Sequence, residues 1–233
     1  MTDPTTSRTR TVALTALAAS ALAVGTALAG PAGASVSTSA NTSVSTSANT
    51  SAKATTTVTA KAPAPRFLSA SQLPPHATSA WTAGKVTPGV PDELVFCLQD
   101  ALPGYDSSYR DFRTDLETNA QQLTVVVGSN AKAGALAARL NKEIKACAAR
   151  AEQGDPEIEA TYKDYGALPV EEGARVHGLH TSASWGATDI SLYSVGRDGR
   201  TVTVVRWAQM GGFSDAPVKA FKKTTTTAVG KLR

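Results

Sequence analysis

The sequence predicts an α+β fold: an antiparallel sheet of about five strands, with two main helices packed mainly on one face and a disordered tail in front. Three observations predict it. Several segments alternate apolar and polar residues with the period of a strand. Two segments repeat apolar residues at the spacing of a helix. The region before them is of low complexity and has almost no branched aliphatic residues.

The first 34 residues have the layout of a secretory signal peptide. Arg8 and Arg10 precede an uncharged, mainly apolar stretch over 12–29, and small-residue patterns occur at 27–29 and 32–34. A positive end, an apolar middle and small residues at the cut form such a leader. The alternative is an uncleaved anchor, but the alanine-rich stretch is weakly hydrophobic for a permanent span. We therefore expect a secreted, extracellular protein with no membrane span after cleavage.

Residues 35–65 form the predicted spacer. Ser35–Thr42 repeats without change as Ser43–Thr50, and the segment contains no aromatic residue. Such a stretch buries too little apolar surface to offset the ordering of the backbone, which costs about 1–2 kcal/mol per residue. We therefore predict a disordered Ser/Thr/Ala-rich linker.

The charge of the chain is concentrated before the predicted domain. The formal net charge of +4 includes +1 from residues 1–34 and +2 from residues 35–65, which leaves 19 basic and 18 acidic side chains in 66–233. A nearly neutral body argues against a nucleic-acid-binding protein, which needs a dense basic face. The remaining length suffices for a single globular domain over 66–233.

The first elements of that domain are a short helix and a hairpin. Pro91 followed by two acidic residues is typical of a helix N-terminus. Alternation over 112–117 predicts a strand, 118–120 a turn, and the β-branched run 121–127 a second strand.

A long helix follows the hairpin. Ser129 or Asn130 can cap it, and Gly154 with the residues after it ends it. Its apolar stripe consists of Leu136, Leu140, Ile144, Cys147, Ala148 and Ala151.

Four further strands and a final helix complete the predicted domain. Short strands are expected over 158–162 and 176–181, and the strands 190–195 and 201–208 flank the turn sequence Gly-Arg-Asp-Gly. Asp215 is expected to cap the final helix, with Pro217 in its first turn. The order hairpin–helix occurs twice, so an internal pseudo-repeat is an alternative, although the two sequences do not match.

Cys97 and Cys147 are expected to form a disulfide. An even number of cysteines in an exported chain favours pairing. The alternatives are two buried free thiols or a metal site, and two cysteines without nearby ligands do not supply the four that zinc takes. We predict no metal and no cofactor.

The pair His177 and His180 is a candidate metal or acid–base site. On a helix this spacing would bring two imidazoles together, but on a strand residues three apart face opposite sides. The flanking sequence predicts a strand, so a shared metal ion is not expected. No Gly-x-Ser-x-Gly nucleophile motif and no complete phosphate-binding loop occur.

The candidate ligand-binding residues are Trp185, Arg206, Trp207 and His180. If the ends of their strands meet at one end of the sheet, these side chains would line a groove. The alternative is that both tryptophans are core or rim residues.

Several segments resemble the extracellular sensor-type domain of actinobacterial Ser/Thr protein kinases and related secreted proteins. They are Trp81, Phe96–Leu98, Tyr109–Thr114, Ala120–Val126 and the helix that contains Cys147. The runs Arg197–Trp207 and Thr224–Thr227 also resemble a group of uncharacterised secreted actinobacterial proteins. The resemblance covers most of 66–233. It implies an α+β domain with a groove for an unknown ligand, and it carries over no catalytic residue.

These observations together predict a secreted, non-enzymatic binding or sensor-like domain. Its expected partner is an unidentified small molecule or cell-envelope component. The alternatives are a secreted hydrolase with a dispersed active site and a protein–protein interaction or inhibitor module.

Overall fold

A computed structural model of the protein describes residues 64–98, 101–102 and 106–233. The predicted signal peptide and nearly all of the predicted spacer lie outside the described residues. Within the described part, the α-helices are α1 Asp92–Leu98, α2 Asn130–Gly154 and α3 Val218–Gly230. The strands are β1 Thr82–Pro88, β2 Ser107–Arg113, β3 Asn119–Val126, β4 Ile158–Leu168, β5 Ala174–Ala183, β6 Thr188–Asp198 and β7 Thr201–Met210.

The strands form one antiparallel sheet, which confirms the α+β fold class. Its order is β1-β2-β3-β7-β6-β5-β4, so β3 lies next to β7 in the middle of the sheet. In the described residues the sheet has seven strands, compared with the predicted number of about five. The strand that sequence patterning missed is β1, an edge strand whose residues are all exposed except the half-buried Ala83. It contains Gly84 and ends in Pro88, so it has neither the apolar alternation nor the composition of a central strand.

The first predicted hairpin is present but displaced along the chain. β2 ends at Arg113, and the residues after it form the turn instead of continuing the strand. The Thr114 hydroxyl lies 3.0 Å from the carbonyl of Leu116 and 3.2 Å from that of Thr118, and the Thr114 N–H donates to Thr118 at 3.1 Å. These local bonds close a turn that includes Leu116, which the alternation had placed in a strand.

The two long helices lie on opposite faces of the sheet, so the prediction that both pack mainly on one face is wrong. Residues of β6 alternate between two cores: Tyr193 and Val195 pack with α2, whereas Ile190 and Leu192 pack with α3. The other central strands divide in the same way, because successive strand residues point to opposite faces. We refer below to the α2 face and the α3 face. The hairpin–helix order that suggested an internal repeat thus places one helix on each face.

The predicted long helix, its cap and its disulfide are confirmed. The Ser129 hydroxyl accepts a hydrogen bond from the Lys132 N–H at 3.2 Å, and the predicted stripe faces the core. Cys147 on α2 is bonded to Cys97 on α1. Arg150 adds a second link between these helices by donating to the Cys97 carbonyl at 2.6 Å. No helix in the described ranges is long and apolar enough to cross a membrane.

The final helix begins at Val218 and is not capped by Asp215. Its N-cap residue is Pro217, without a side-chain cap bond, and Asp215 instead accepts from the Gly212 N–H at 2.7 Å. The threonine run is accommodated in α3 because its hydroxyls donate hydrogen bonds to backbone carbonyls. Thr225, like the two threonines after it, donates to the carbonyl four residues earlier, and Thr224 donates to the carbonyl of Gln72.

We expect the substitution Gly196→Ala to lower the free energy of unfolding by about 2 kcal/mol. A Cβ atom at this position in β6 would overlap the Val229 side chain of α3 and lie 2.9 Å from the Cβ of Ala174. Gly134→Ala on α2 is the matched control, because no atom outside the neighbouring backbone of α2 lies within 4 Å of its added Cβ. In urea unfolding, the free energy of unfolding of the Gly134→Ala control should equal or exceed that of wild type. Equal stability of both variants would contradict the close packing of α3 on β6.

Candidate functional site

An open groove lies on the α2 face, over the part of the sheet that α2 leaves uncovered. It has a volume of about 490 Å³. A second depression of about 400 Å³ shares Glu93, Asn119 and Arg206 with it, so the two adjoin. We call these two adjoining depressions together the Arg206 groove. Its other lining residues include Phe96, Asp111, Leu116, Glu117, Gln121, Leu179, Asp189, Ser191, Tyr193 and Met210.

The floor of the groove is built by the register of the sheet. Asp111 pairs with Gln121, Gln121 with Arg206, and Arg206 with Tyr193, across four neighbouring strands. Paired residues point to the same face, so their side chains form one polar row. The row continues to His177, the partner of Tyr193 on β5, which lies beneath α2.

Arg206 is the centre of this row. Its Nη1 lies 2.7 Å from Asn119 Oδ1 and 3.1 Å from Gln121 Oε1, and its Nε lies 3.3 Å from the Tyr193 hydroxyl. Its Nη2 lies 3.4 Å from Ser191 Oγ. These acceptors are all uncharged, and they engage four of the five guanidinium N–H groups. The guanidinium is therefore fixed in place with its charge unneutralised by these partners.

Carboxylates line the groove around Arg206. The pKa of Asp111 is raised, first because the carboxyl is partly buried and second because Glu93 lies nearby, whereas Arg113 opposes the shift. Asp111 Oδ1 is buried without a hydrogen-bond partner. Asp189 and Glu117 add two exposed carboxylates to the lining. The walls are therefore acidic, while the centre of the floor is cationic.

His177 is held in one tautomer beneath α2. Its Nε2 lies 2.7 Å from Asn141 Oδ1, while the Asn141 amide donates to the Ala137 carbonyl. Nε2 is therefore the donor, and Nδ1 accepts from the Tyr162 hydroxyl at 2.9 Å. Burial lowers the pKa of His177 to about 4, so the imidazole is neutral at pH 7.

The structure does not bring the four predicted binding residues together. Arg206 lies in the groove, but its neighbour Trp207 points to the α3 face, where it is buried in the second core and borders a separate cavity of about 320 Å³. His180 lies on that face too, with its ring centroid 5.6 Å from that of Phe213. Trp185 is 64% exposed in the turn between β5 and β6. One shared groove is therefore not formed.

His177 and His180 lie on one strand, β5, and their side chains face opposite sides of the sheet, as expected for strand residues three apart. His177 lies on the α2 face and His180 on the α3 face, so the two rings point away from each other. No group of three or more His, Cys, Asp or Glu side chains placed to hold a metal ion occurs in the part of the chain that the structure describes.

Sequence reasoning missed most of the groove. Glu93 and Phe96 come from α1, where their spacing of three places them on one helix face. That spacing was visible in the sequence as a signal. Asn119 and Tyr193 had no such signal, because their proximity to Arg206 depends on the pairing of β7 with both β3 and β6.

Comparison with known proteins finds similarity among solved structures, at low sequence identity. No family model matches the chain, and no curated protein matches it. Among solved structures, the chain is similar to the extracellular domain of PknH from Mycobacterium tuberculosis, at 14% sequence identity and a TM-score of 0.39. The similarity covers 69% of this chain and 96% of that one. At this TM-score the similarity transfers no fold, site residue, ligand or role to this chain.

Proposed function

We propose that this protein is a secreted, non-enzymatic binding or sensor-like domain. Its Arg206 groove binds an unidentified small molecule or cell-envelope component. The observation that carries the proposal is the open groove with a fixed guanidinium at its floor. Arg206 retains one N–H without a partner among the hydrogen bonds of the described residues, and a ligand oxygen can accept from it. A pocket with a few convergent polar groups is the usual form of a ligand site.

Secretion is supported by two independent features. The leader-like order of charge and small residues in 1–34 is typical of export. The Cys97–Cys147 bond is typical of proteins that fold in an oxidising compartment.

The non-enzymatic part of the proposal is supported by the environment of His177. Its ring nitrogens contact the Tyr162 hydroxyl and the Asn141 amide, with no carboxylate to orient the imidazole. Burial and the nearby Asp164 carboxylate raise the pKa of Tyr162, which keeps that hydroxyl protonated. A hydrolase would instead need an activated nucleophile beside the base and open to substrate.

We expect ligand-dependent thermal stabilisation of the folded domain in a screen of cell-envelope fragments and metabolites. Binding to the native state raises stability by RT ln(1 + [L]/Kd), about 2.7 kcal/mol at a hundredfold excess over Kd. Arg206→Lys keeps the charge but loses the planar fork, so binding should weaken about tenfold. Arg200→Lys is the matched control, because Arg200 is exposed in the turn between β6 and β7. A ligand that stabilises both variants equally does not use the groove. Turnover of any screened compound would overturn the non-enzymatic part.

A further inference from the structure

The walls of the Arg206 groove repeat one combination of side chains. On α1, Glu93 is followed at helical spacing by Phe96, whose side chain is 58% exposed. In the turn between β2 and β3, Glu117 follows Leu116, which is 56% exposed.

The third wall repeats the combination by strand pairing. Asp189 on β6 pairs directly with Met210 on β7, and the Met210 side chain is 59% exposed. Three separate places on the walls therefore each present one carboxylate and one large exposed apolar side chain to the same groove.

The charges of this groove are unbalanced. Its carboxylates are those of Glu93, Asp111, Glu117 and Asp189, against the cations of Arg113 and Arg206. Among the ion pairs of the described residues, none involves a carboxylate of this groove. The pKa of Asp111 is raised first by burial and second by repulsion from Glu93, so these two carboxylates disfavour each other. A cationic group placed among them would relieve that repulsion.

The apolar side chains add a second requirement. Exposed large apolar residues that cluster in one place mark a binding surface more often than scattered ones do. Phe96, Leu116 and Met210 are half of the large apolar side chains that are exposed in the described part of the chain. Each of these side chains lies beside a carboxylate. A purely apolar ligand would therefore leave the carboxylates without a partner, and a purely cationic ligand would leave the apolar side chains uncovered.

The length of the groove favours a chain-like ligand. Lining residues come from β2, β3, β7, β6 and β5, which are consecutive in the sheet. Four gaps between neighbouring strands, each about 4.8 Å, give a floor about 19 Å long. An extended peptide advances about 3.3 Å per residue, so about six residues span this distance.

We infer that the Arg206 groove docks an extended peptide segment in which basic and apolar side chains are interspersed. The inference rests on the proposed binding function and specifies its ligand. The basic side chains contact Glu93, Glu117 and Asp189, while the apolar ones cover Phe96, Leu116 and Met210. The remaining N–H of Arg206 donates to a peptide carbonyl.

The test uses three labelled seven-residue peptides with blocked ends and the same leucine positions. The intervening residues are lysine, serine or glutamate, and binding to the wild-type domain is measured by fluorescence anisotropy at 20 and 200 mM salt. The lysine peptide is expected to bind at least tenfold more tightly than the glutamate peptide. The difference is expected to shrink at the higher salt concentration, because screening weakens contacts between exposed charges.

Substitutions in the groove test which side chains contact the basic and the apolar residues of the peptide. The triple variant Glu93→Gln, Glu117→Gln, Asp189→Asn is expected to weaken the lysine peptide at least fivefold and to leave the serine peptide unchanged. Phe96→Ser is expected to weaken both peptides. Glu159→Gln is the matched control, since Glu159 is an exposed carboxylate on β4, outside the groove.

Three results would overturn the inference, and they differ in whether the proposed binding function remains supported. Equal or tighter binding of the glutamate peptide, or an Arg206-dependent ligand that is neither basic nor a peptide, removes the peptide assignment and leaves the binding function. Failure of every peptide and every screened compound to bind the groove removes both.

Discussion

Removal of the Cys97–Cys147 bond is expected to lower the free energy of unfolding by about 4 kcal/mol. The two cysteines are separated by 50 positions, and the loop between them contains β2, β3 and most of α2. In the chain-entropy model, closing a loop of this length restricts the unfolded ensemble by about that amount. The bond also fixes α1, a helix of only 7 residues, against α2.

The measurement is urea unfolding of the Cys97→Ala, Cys147→Ala variant, followed by tryptophan fluorescence and circular dichroism. Wild-type protein in a reducing agent is the control, because it lacks the bond but keeps the side-chain volume. Both samples should unfold at the same lower urea concentration. A loss below 1 kcal/mol in both would show that the bond does not limit the unfolded chain in this way.

Acidification from pH 7 to pH 4 is expected to cost the wild-type protein about 3 kcal/mol through His177 alone. The folded-state pKa is lowered to about 4 from 6.5, with burial as the main cause; Asp164 opposes the shift and Arg175 adds to it. Between these two pH values the unfolded chain binds the proton and the folded chain does not. Stability therefore rises with pH across this window and is lost as the pH falls.

The comparison of wild type with His177→Gln isolates this contribution, because other groups titrate in both proteins. The wild-type stability should fall more steeply below pH 6.5 than that of the variant. His180→Gln is the matched control, because it removes a histidine from the same strand whose half-buried ring lies on the α3 face, away from the contacts of His177. If His177→Gln does not fold, the titration of the wild-type imidazole by NMR gives the same information. A pKa near 6.5 would contradict the buried, neutral histidine.

The elements that the sequence predicted correctly are those with a strong local signal. The stripe of α2 from Leu140 to Ala151 and its Ser129 cap depend on residues at most a few turns apart. The turn after Arg113 was misplaced because Thr114 forms bonds to its own backbone neighbours, which apolar alternation does not register. The sequence could not predict which face of the sheet α2 and α3 occupy. Alternation shows that a strand has two sides, but it does not show which helix covers each side.

Arg206 illustrates the same division within the site. Its charge next to an aromatic residue in a predicted strand was enough to select it as a candidate. Its contacts with Asn119 and Tyr193 required the register of three strands, two of which, β3 and β7, are far apart in sequence. Trp207 was grouped with it by adjacency, yet neighbours in a strand point to opposite faces. Strand periodicity alone, applied to that pair, separates them.

The floor of the groove is made of paired strands, and this affects how binding would proceed. Asn119, Gln121, Ser191 and Tyr193 are fixed by backbone ladders on both sides, so Arg206 is preorganised before any ligand arrives. Little conformational entropy would then be lost from the protein on association. Free and occupied forms should superimpose closely in the sheet, with adjustment confined to rotamers such as those of Phe96 and Met210.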